Sequence, residues 1–255
     1  MKTYDESFPK QHLGLMTQYW GKVSSINLFS EADLLELEKI SHQTGRRYRK
    51  YNGGTFIISG INWGSMYDML YPKLKTCLAY IREDDIISGN LYITRASYGL
   101  HLDGIDENEV STGYVPIKSF LIPLWNLPKK KVSSLIFMSN RFLGFERTFQ
   151  KGYENSNPYF VDKLPNIYDY SDITWYNYDK TELDKNDKFD KSIHHAYLPH
   201  IKLETFDEMK VEEIVNFVPG ELIIFDTLQL HVSTNINVSN VNLKSGIRLI
   251  LWRKL

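Results

Sequence analysis

The sequence predicts a mainly β fold with flanking helices, built as a jelly roll or a related antiparallel barrel. Three observations carry that prediction. From about Ser88 onward, seven stretches read as strands, several alternating apolar with polar residues, with Gly, Pro, Asn and Asp clusters between them. Tyr, Phe and Trp number 17, 13 and 5 in 255 residues, a composition that favours pleated sheet over a helical bundle. The two stretches with helical periodicity both lie early in the chain.

In chain order, the first 30 residues are a mixed lead-in with a short strand over 21–28. Ser30-Glu31-Ala32-Asp33 has the form of a capping box, and Leu34, Leu35, Leu37 and Ile40 follow on one helical face. Gly45 and Arg46-Arg47 close that helix. Tyr51-Asn52-Gly53-Gly54 is a turn by composition, and a strand is expected over 55–61. A second helix is expected over 65–81, with Met66, Met69, Leu70, Leu74, Cys77 and Ile81 on one side. Pro72 lies inside that pattern and should kink or divide it. Strands are then expected over 91–98, 117–125, 133–139, 200–206, 214–217, 221–234 and 246–252.

Between 142 and 200 the pattern breaks. Tyr159, Tyr168, Tyr170, Trp175, Tyr176 and Tyr178 stand among Asn, Asp and Lys without a period. So long a connection is uncommon unless it is functional or disordered. It is either a surface insertion or a lid whose aromatic residues face a substrate, and the sequence leaves both open. With no internal repeat and no domain-scale linker, 1–255 reads as a single domain. Residues 1–87 support a core over 88–255, which carries the insertion at about 142–200.

Charge and composition give no strong signal for nucleic-acid or membrane binding. Lys plus Arg (30) nearly balance Asp plus Glu (31), so the basic stripe of a nucleic-acid binder is missing. The compact cluster Lys129-Lys130-Lys131 follows Pro128 and reads as a solvated turn. Cys77, the single cysteine, cannot form an internal disulfide and reads as a buried small residue. The start, Met1 to Asp5, lacks the apolar core of a signal peptide, and no apolar run approaches the ~18 residues of a membrane helix. A soluble, cytoplasmic protein with no membrane partner is expected.

The chemistry-bearing residues begin with His101-Leu102-Asp103. Side chains at i and i+2 of a strand leave from one face, so an imidazole and a carboxylate aim at one point. One imidazole with one carboxylate suits iron(II) better than calcium or a structural zinc. Alone the motif is weak: with 7 His and 31 acidic residues, chance supplies roughly one His-x-acid in such a chain. A third ligand must come from a facing strand. Residues 218–226 read as a turn into a buried strand that continues through Leu228-Gln229-Leu230 to His231. A lone histidine there is more often a hydrogen-bonded core residue than a ligand. Farther on, 246–252 is an apolar strand with Arg248 near its start. An inward arginine in an apolar wall is costly without an anion, and a carboxylate can be gripped by two parallel hydrogen bonds. Otherwise Arg248 points outward or pairs with an internal acid. Arg253 competes for the role but stands at the C-terminal end on the opposite parity. His194-His195 would point to opposite faces of a strand, which argues against a second metal site.

The order His-x-Asp, distant His and Arg on the last strand resembles the iron(II)/2-oxoglutarate-dependent dioxygenase superfamily, in its prolyl-hydroxylase-like and phytanoyl-CoA-hydroxylase-like members. Tyr98-Gly99-Leu100-His101-Leu102-Asp103-Gly104 is similar to the family's strand-end motif, and Ile122-Pro123-Leu124 to the strand that follows it. Pro219-Gly220-Glu221-Leu222 and His231-Val232-Ser233-Thr234-Asn235 are similar to its turn and distal ligand. The resemblance covers 88–255 outside the insertion. It implies a double-stranded β-helix, cupin-like core. It implies His101, Asp103 and His231 as catalytic metal ligands for iron(II), and Arg248 as partner of the distal carboxylate of 2-oxoglutarate. Dioxygen would be the second co-substrate, succinate and carbon dioxide the by-products, and hydroxylation of an unactivated C–H bond the default outcome. Asp103 argues against a halogenase. Two departures stand out. Many relatives place the basic residue about ten to fifteen positions after the distal histidine, and here the gap is 17. Some place a serine where this chain has Ile250, so Tyr92, Tyr98 or Ser233 would complete the co-substrate site.

Two other readings compete: a cupin-like metalloenzyme without 2-oxoglutarate, which has no need of a buried Arg248, and a non-catalytic jelly-roll binding module. The insertion's tyrosines suit a sugar, an aromatic ring or a peptide; a small-molecule or peptide substrate is expected, and the sequence does not identify it. Oligomeric state is not written in the sequence.

Overall fold

The computed structural model describes residues 10–44, 46–48, 55–59, 63–103, 113–142, 148–149, 167–168, 175–181, 183–184, 186 and 188–255. Its larger sheet has seven strands in the order β1 (Ser24–Asn27), β10 (Glu221–Phe225), β5 (Tyr114–Leu127), β12 (Leu243–Lys254), β4 (Ile86–Thr94), β3 (Thr55–Ser59) and β2 (Arg46–Tyr48). Every neighbouring pair in it is antiparallel. The smaller sheet has the order β11 (Gln229–Ser233), β6 (Ser134–Arg141) and β9 (Val211–Asn216). A backbone bridge between His101 and His231 extends it beyond β11. A two-residue parallel pair joins β7 (Thr148–Phe149) to β8 (Ile167–Tyr168).

From β4 to β12 the chain alternates between the sheets except from β6 to β9, which are neighbours in the smaller one. It passes from β4 to the 98–101 segment, then β5, β6, β9, β10, β11 and β12, so that four strands of each sheet wind as one coil. This is the double-stranded β-helix of a jelly roll.

Period-two alternation explains where each face goes. On β12, Ile247, Leu249 and Leu251 face outward and join Leu37, Leu70 and Leu74 of α2 (Glu31–Thr44) and α3 (Trp63–Cys77) in one core. Leu121, Leu135, Phe137, Phe217, Ile223 and Phe225 come from both sheets and fill the space between them. The outer face of the smaller sheet, with Ile136, Met138 and Leu230, is covered by Trp175, Phe189 and Phe206.

The capping box forms as expected. The Ser30 amide donates to Asp33 Oδ2 at 2.8 Å, and the Asp33 amide to Ser30 Oγ at 3.2 Å. Helix α3 keeps Pro72 inside it, and the Thr76 hydroxyl donates to the Pro72 carbonyl at 2.8 Å. Lys129 to Lys131 are exposed after β5. Cys77 ends α3 half-buried against the core rather than fully buried. No helix among the described residues is long and apolar enough to cross a membrane.

Several expectations are corrected. Helix α1 (Lys10–Gln18) carries no pattern the sequence reading used. Arg46-Arg47 begins strand β2 instead of closing α2. The stretch 200–206 is a short 3₁₀ turn over Leu203–Phe206, because Ile201, Leu203 and Phe206 all reach the same apolar cluster from a turn. The stretch 221–234 is two strands in different sheets, β10 and β11, broken at Asp226. His194 and His195 lie on the helix α4 (Lys191–Tyr197), where strand parity does not apply. His194 Nε2 is taken by the Ile201 carbonyl at 2.7 Å. Arg253 is inside β12 and buried, not at a loose end; it pairs with Asp85 at 2.6 Å and donates to the Tyr80 carbonyl. The Tyr51–Gly54 turn and the end of the 55–61 strand lie outside the described residues, as do Gly45, Tyr159 and Tyr170.

Candidate metal centre

The site is built where the 98–101 segment joins the smaller sheet. Thr94 Oγ1 closes a turn at the end of β4 by accepting from the Ala96 amide at 3.0 Å. The chain then runs beside β11. The amide of Ser233 donates to the Tyr98 carbonyl at 3.3 Å. His101 and His231 exchange reciprocal backbone hydrogen bonds of 3.0 Å each. That pairing sets the two imidazole rings 4.3 Å apart. Phe137 stacks on the His231 ring at 5.5 Å and Phe225 meets it edge-on at 5.0 Å, which fixes its orientation.

Asp103 arrives two residues beyond His101. Its Oδ1 lies 3.9 Å from His101 Nε2 and 3.7 Å from His231 Nε2. One ligand atom from each of the three falls within 4.8 Å of the others, and among the described residues this is the one such group. Each imidazole is anchored through its far nitrogen: His101 Nδ1 to the Gly99 carbonyl at 2.7 Å, His231 Nδ1 to the Gln229 carbonyl at 3.0 Å. A carbonyl only accepts, so both Nδ1 atoms carry hydrogen and both Nε2 lone pairs face Asp103.

Electrostatics keep the donors in their metal-binding forms. Burial pushes His101 down to about 4, with the neighbouring His231 adding to it, and burial lowers His231 as well. Both rings are therefore neutral near pH 7. Burial pushes Asp103 up, but the Arg248 guanidinium leads the opposing influences and leaves its carboxyl below the usual range. Two neutral imidazoles and one carboxylate, sharing one side of a point, are a donor set that fits iron(II).

Arg248 lies on the inner face, as its parity on β12 predicts, yet it meets the site's own acid. Its Nη2 donates to the Asp103 main-chain oxygen at 2.8 Å. Its Nε is 3.1 Å from Asp103 Oδ1, an ion pair without the alignment of a hydrogen bond. Of the two alternatives left open for Arg248, pairing with an internal acid is the one observed. Tyr92 and Tyr98 border the same space, their rings 6.4 Å apart, with Tyr98 at 5.9 Å from His101. Burial, then Tyr98 and Asp103, push the Tyr92 hydroxyl well above its ordinary value. Ser233 is not available to a ligand in the way expected. Its hydroxyl accepts from the Tyr98 amide and reaches the Tyr98 carbonyl at 3.3 Å, so it holds the 98–101 segment in register.

Two features were missed. Lys244, at the start of β12, is buried at 2 % exposure, its Nζ 3.4 Å from Ser133 Oγ and 5.0 Å from the Phe217 ring centre. Burial alone pushes it down to about 8. Its spacing was a usable signal, since it stands 13 positions after His231. The second is a buried cluster. Asp226 accepts from Lys118 and from Arg141 Nε (2.8 Å), and Arg141 also donates to Glu212 at 2.9 Å. The described end of the insertion packs away from the metal ligands. Trp175 lies against Phe142 on the outer side of the smaller sheet, and Tyr178 lies under Lys22 and Arg141.

No protein-family model matches the sequence, and neither does any curated protein. Solved structures similar to the chain include the non-heme alpha ketoglutarate-dependent epimerase SnoN from nogalamycin biosynthesis, at 9% identity and TM-score 0.44 over 94% of this chain and 82% of that one. HygX from Streptomyces hygroscopicus, with nickel and 2-oxoglutarate bound, is 8% identical at TM-score 0.44 over 97% and 88%. A Pseudomonas putida prolyl-4-hydroxylase is 11% identical at TM-score 0.42 over 95% and 100%.

Proposed function

We propose that the chain is an iron(II)- and 2-oxoglutarate-dependent oxygenase, with His101, Asp103 and His231 as the metal ligands. The observation that carries this reading is the convergence of two pre-oriented imidazole Nε2 atoms on one buried carboxylate between the sheets of a jelly roll. These three residues would hold the metal and would leave room beside it for the co-substrates. When bound, iron(II) with 2-oxoglutarate and dioxygen supplies oxidation of a C–H bond, with succinate and carbon dioxide released. The chain's own residues orient and exclude. Gly99 and Gln229 carbonyls hold the imidazoles, Phe137 and Phe225 keep water from His231, and a cation on the inner face of β12 balances the distal carboxylate of the co-substrate. Hydroxylation of a small molecule or a peptide is the default outcome.

Purified protein given iron(II), ascorbate and 2-oxoglutarate should form succinate slowly even without substrate, and His101→Ala should abolish it. Protein that binds neither iron(II) nor 2-oxoglutarate would exclude the proposal.

One observation favours a second reading. Because Arg248 is already balanced by Asp103, the same metal centre without a dicarboxylate co-substrate is a coherent alternative. It predicts metal binding with no 2-oxoglutarate binding and no succinate.

A further inference from the structure

His101 and His231 exchange both of their backbone hydrogen bonds, and a regular antiparallel ladder repeats such an exchange at every second residue. The next exchange should therefore join Gly99 to Ser233. It does not. The Ser233 amide donates instead to the carbonyl of Tyr98, one residue early, at 3.3 Å. Gly99 is thus the extra residue of a bulge, and a bulge re-aims the side chains beside it. The carbonyl that the regular ladder would have used accepts from His101 Nδ1 at 2.7 Å. His231 is set up in the same way. The register of β11 against β6 shifts between Gln229 and His231, and the ring donates to the Gln229 carbonyl at 3.0 Å. In both histidines an irregular ladder precedes a ring held by the carbonyl two positions earlier.

A side chain holds the slip at Gly99. Ser233 is 1 % exposed, and its Oγ accepts from the Tyr98 amide and reaches the Tyr98 carbonyl at 3.3 Å. Together with its own amide, Ser233 therefore engages both main-chain groups of Tyr98. A second hydroxyl secures the approach, since Ser97 Oγ accepts from the Ile236 amide at 2.9 Å. The neighbouring Thr234 has the same chemistry but serves the other edge of β11. Its Oγ1 accepts from the Ser134 amide and donates to the Ser134 carbonyl, both at 3.0 Å. Those bonds go to β6 and not to the segment that carries His101.

Without the Ser233 hydroxyl the Tyr98 amide loses its acceptor, and the regular register becomes the competitor. That register draws the Gly99 carbonyl toward the Ser233 amide and away from the imidazole. His101 then loses the support that fixes its ring and its tautomer. Resting on the reading of His101 as a metal ligand, we propose that Ser233 is a positioning residue for it. The Ser233 hydroxyl holds the one-residue slip that presents the Gly99 carbonyl to the His101 ring.

The test pairs Ser233→Ala with Thr234→Ala in the full chain. Each removes one buried hydroxyl that bonds a neighbouring main chain, and both should lower the thermal midpoint. Manganese(II) affinity, read by calorimetry, separates them. S233A should bind about 10–100-fold more weakly, the usual loss when an outer support of a ligand histidine is removed, and T234A should match wild type. The rings themselves give a second readout. Nitrogen-edited proton spectra of the zinc(II)-loaded protein should show both Nδ1 protons slow to exchange in wild type and in T234A. In S233A the His101 ring proton should exchange fast while that of His231 persists. Should S233A fail to fold, S233C carries the same comparison, because its sulfur is of similar size and accepts only weakly. The assignment is overturned if the Ser233 variant keeps wild-type metal affinity, if T234A loses as much, or if both ring protons change together. Wild-type protein that takes up neither manganese(II) nor zinc(II) would instead overturn the reading of the metal centre itself.

Discussion

At Lys244 the folded and unfolded chains hold a proton with different strength, and the sign of the consequence is definite. The folded value is about 8 against 10.5 in the unfolded chain. Between those values the unfolded chain binds the proton that the folded chain has released, so stability rises with pH across that window. Below pH 8 both states are charged and the full penalty is present, roughly 3 kcal/mol for a shift of this size. Lys244→Met should be more stable than wild type at pH 7 by a similar order, with the difference shrinking toward pH 10. Urea unfolding at pH 7 and pH 9.5 measures it, and a pH-independent difference would show that the lysine is not held charged in an apolar wall. The residue escaped the sequence reading for a structural reason. A strand start placed at 246 leaves position 244 in a loop, where a lysine is unremarked. Pairing with β4 and β5 from Leu243 onward is what buries it. That His101, Asp103 and His231 meet at one point was legible from their order in the chain and the family resemblance, not from strand parity alone. The partner of Arg248 was not, since Asp103 lies 145 positions away in sequence.

Among the elements, the break between β10 and β11 does the most. Alternation alone makes 221–234 look continuous; Asp226 is what ends β10. Its carboxylate faces inward to Lys118 of β5 and Arg141 of β6, and it also accepts from the Gly21 amide at 3.2 Å. Gln229, three residues on, donates to the Met138 carbonyl at 2.9 Å, and its own carbonyl anchors His231. One acidic side chain therefore directs the chain from the larger sheet to the smaller just ahead of a candidate ligand. Asp226→Ala leaves two buried cations with only Glu212 between them. It should cost about 3–5 kcal/mol, the usual loss when one partner of a buried ion pair is removed. Thermal unfolding should show this as a lower midpoint, and a midpoint within a degree of wild type would mean the cluster contributes nothing. The charges were visible in the sequence, but nothing local says that residues 118, 141, 212 and 226 meet; only the winding of two sheets brings them together.

For the molecule as a whole, the jelly roll was readable from strand count and composition because turns punctuate it regularly. The direction of the insertion was not readable. Its aromatics carry no period, and the side of the sheet that Trp175 covers is decided by packing partners such as Phe142 and Phe206. The paired His101 and His231 have a consequence for how the molecule breathes. Each amide is tied to the other residue's carbonyl, so each proton exchanges with deuterium when its own bond parts, and a closed pair protects both. Metal that binds only the closed pair lowers the population of that opening by a factor of one plus the ratio of free metal concentration to Kd. Deuterium uptake at the amides of 101 and 231 should thus slow together, and by the same factor, when iron(II) or manganese(II) is added, while β2 and β3 keep their own rates. A change at one amide without the other would mean the two strands open separately, and that the 129 residues of intervening chain have not made a single hinge of the metal centre.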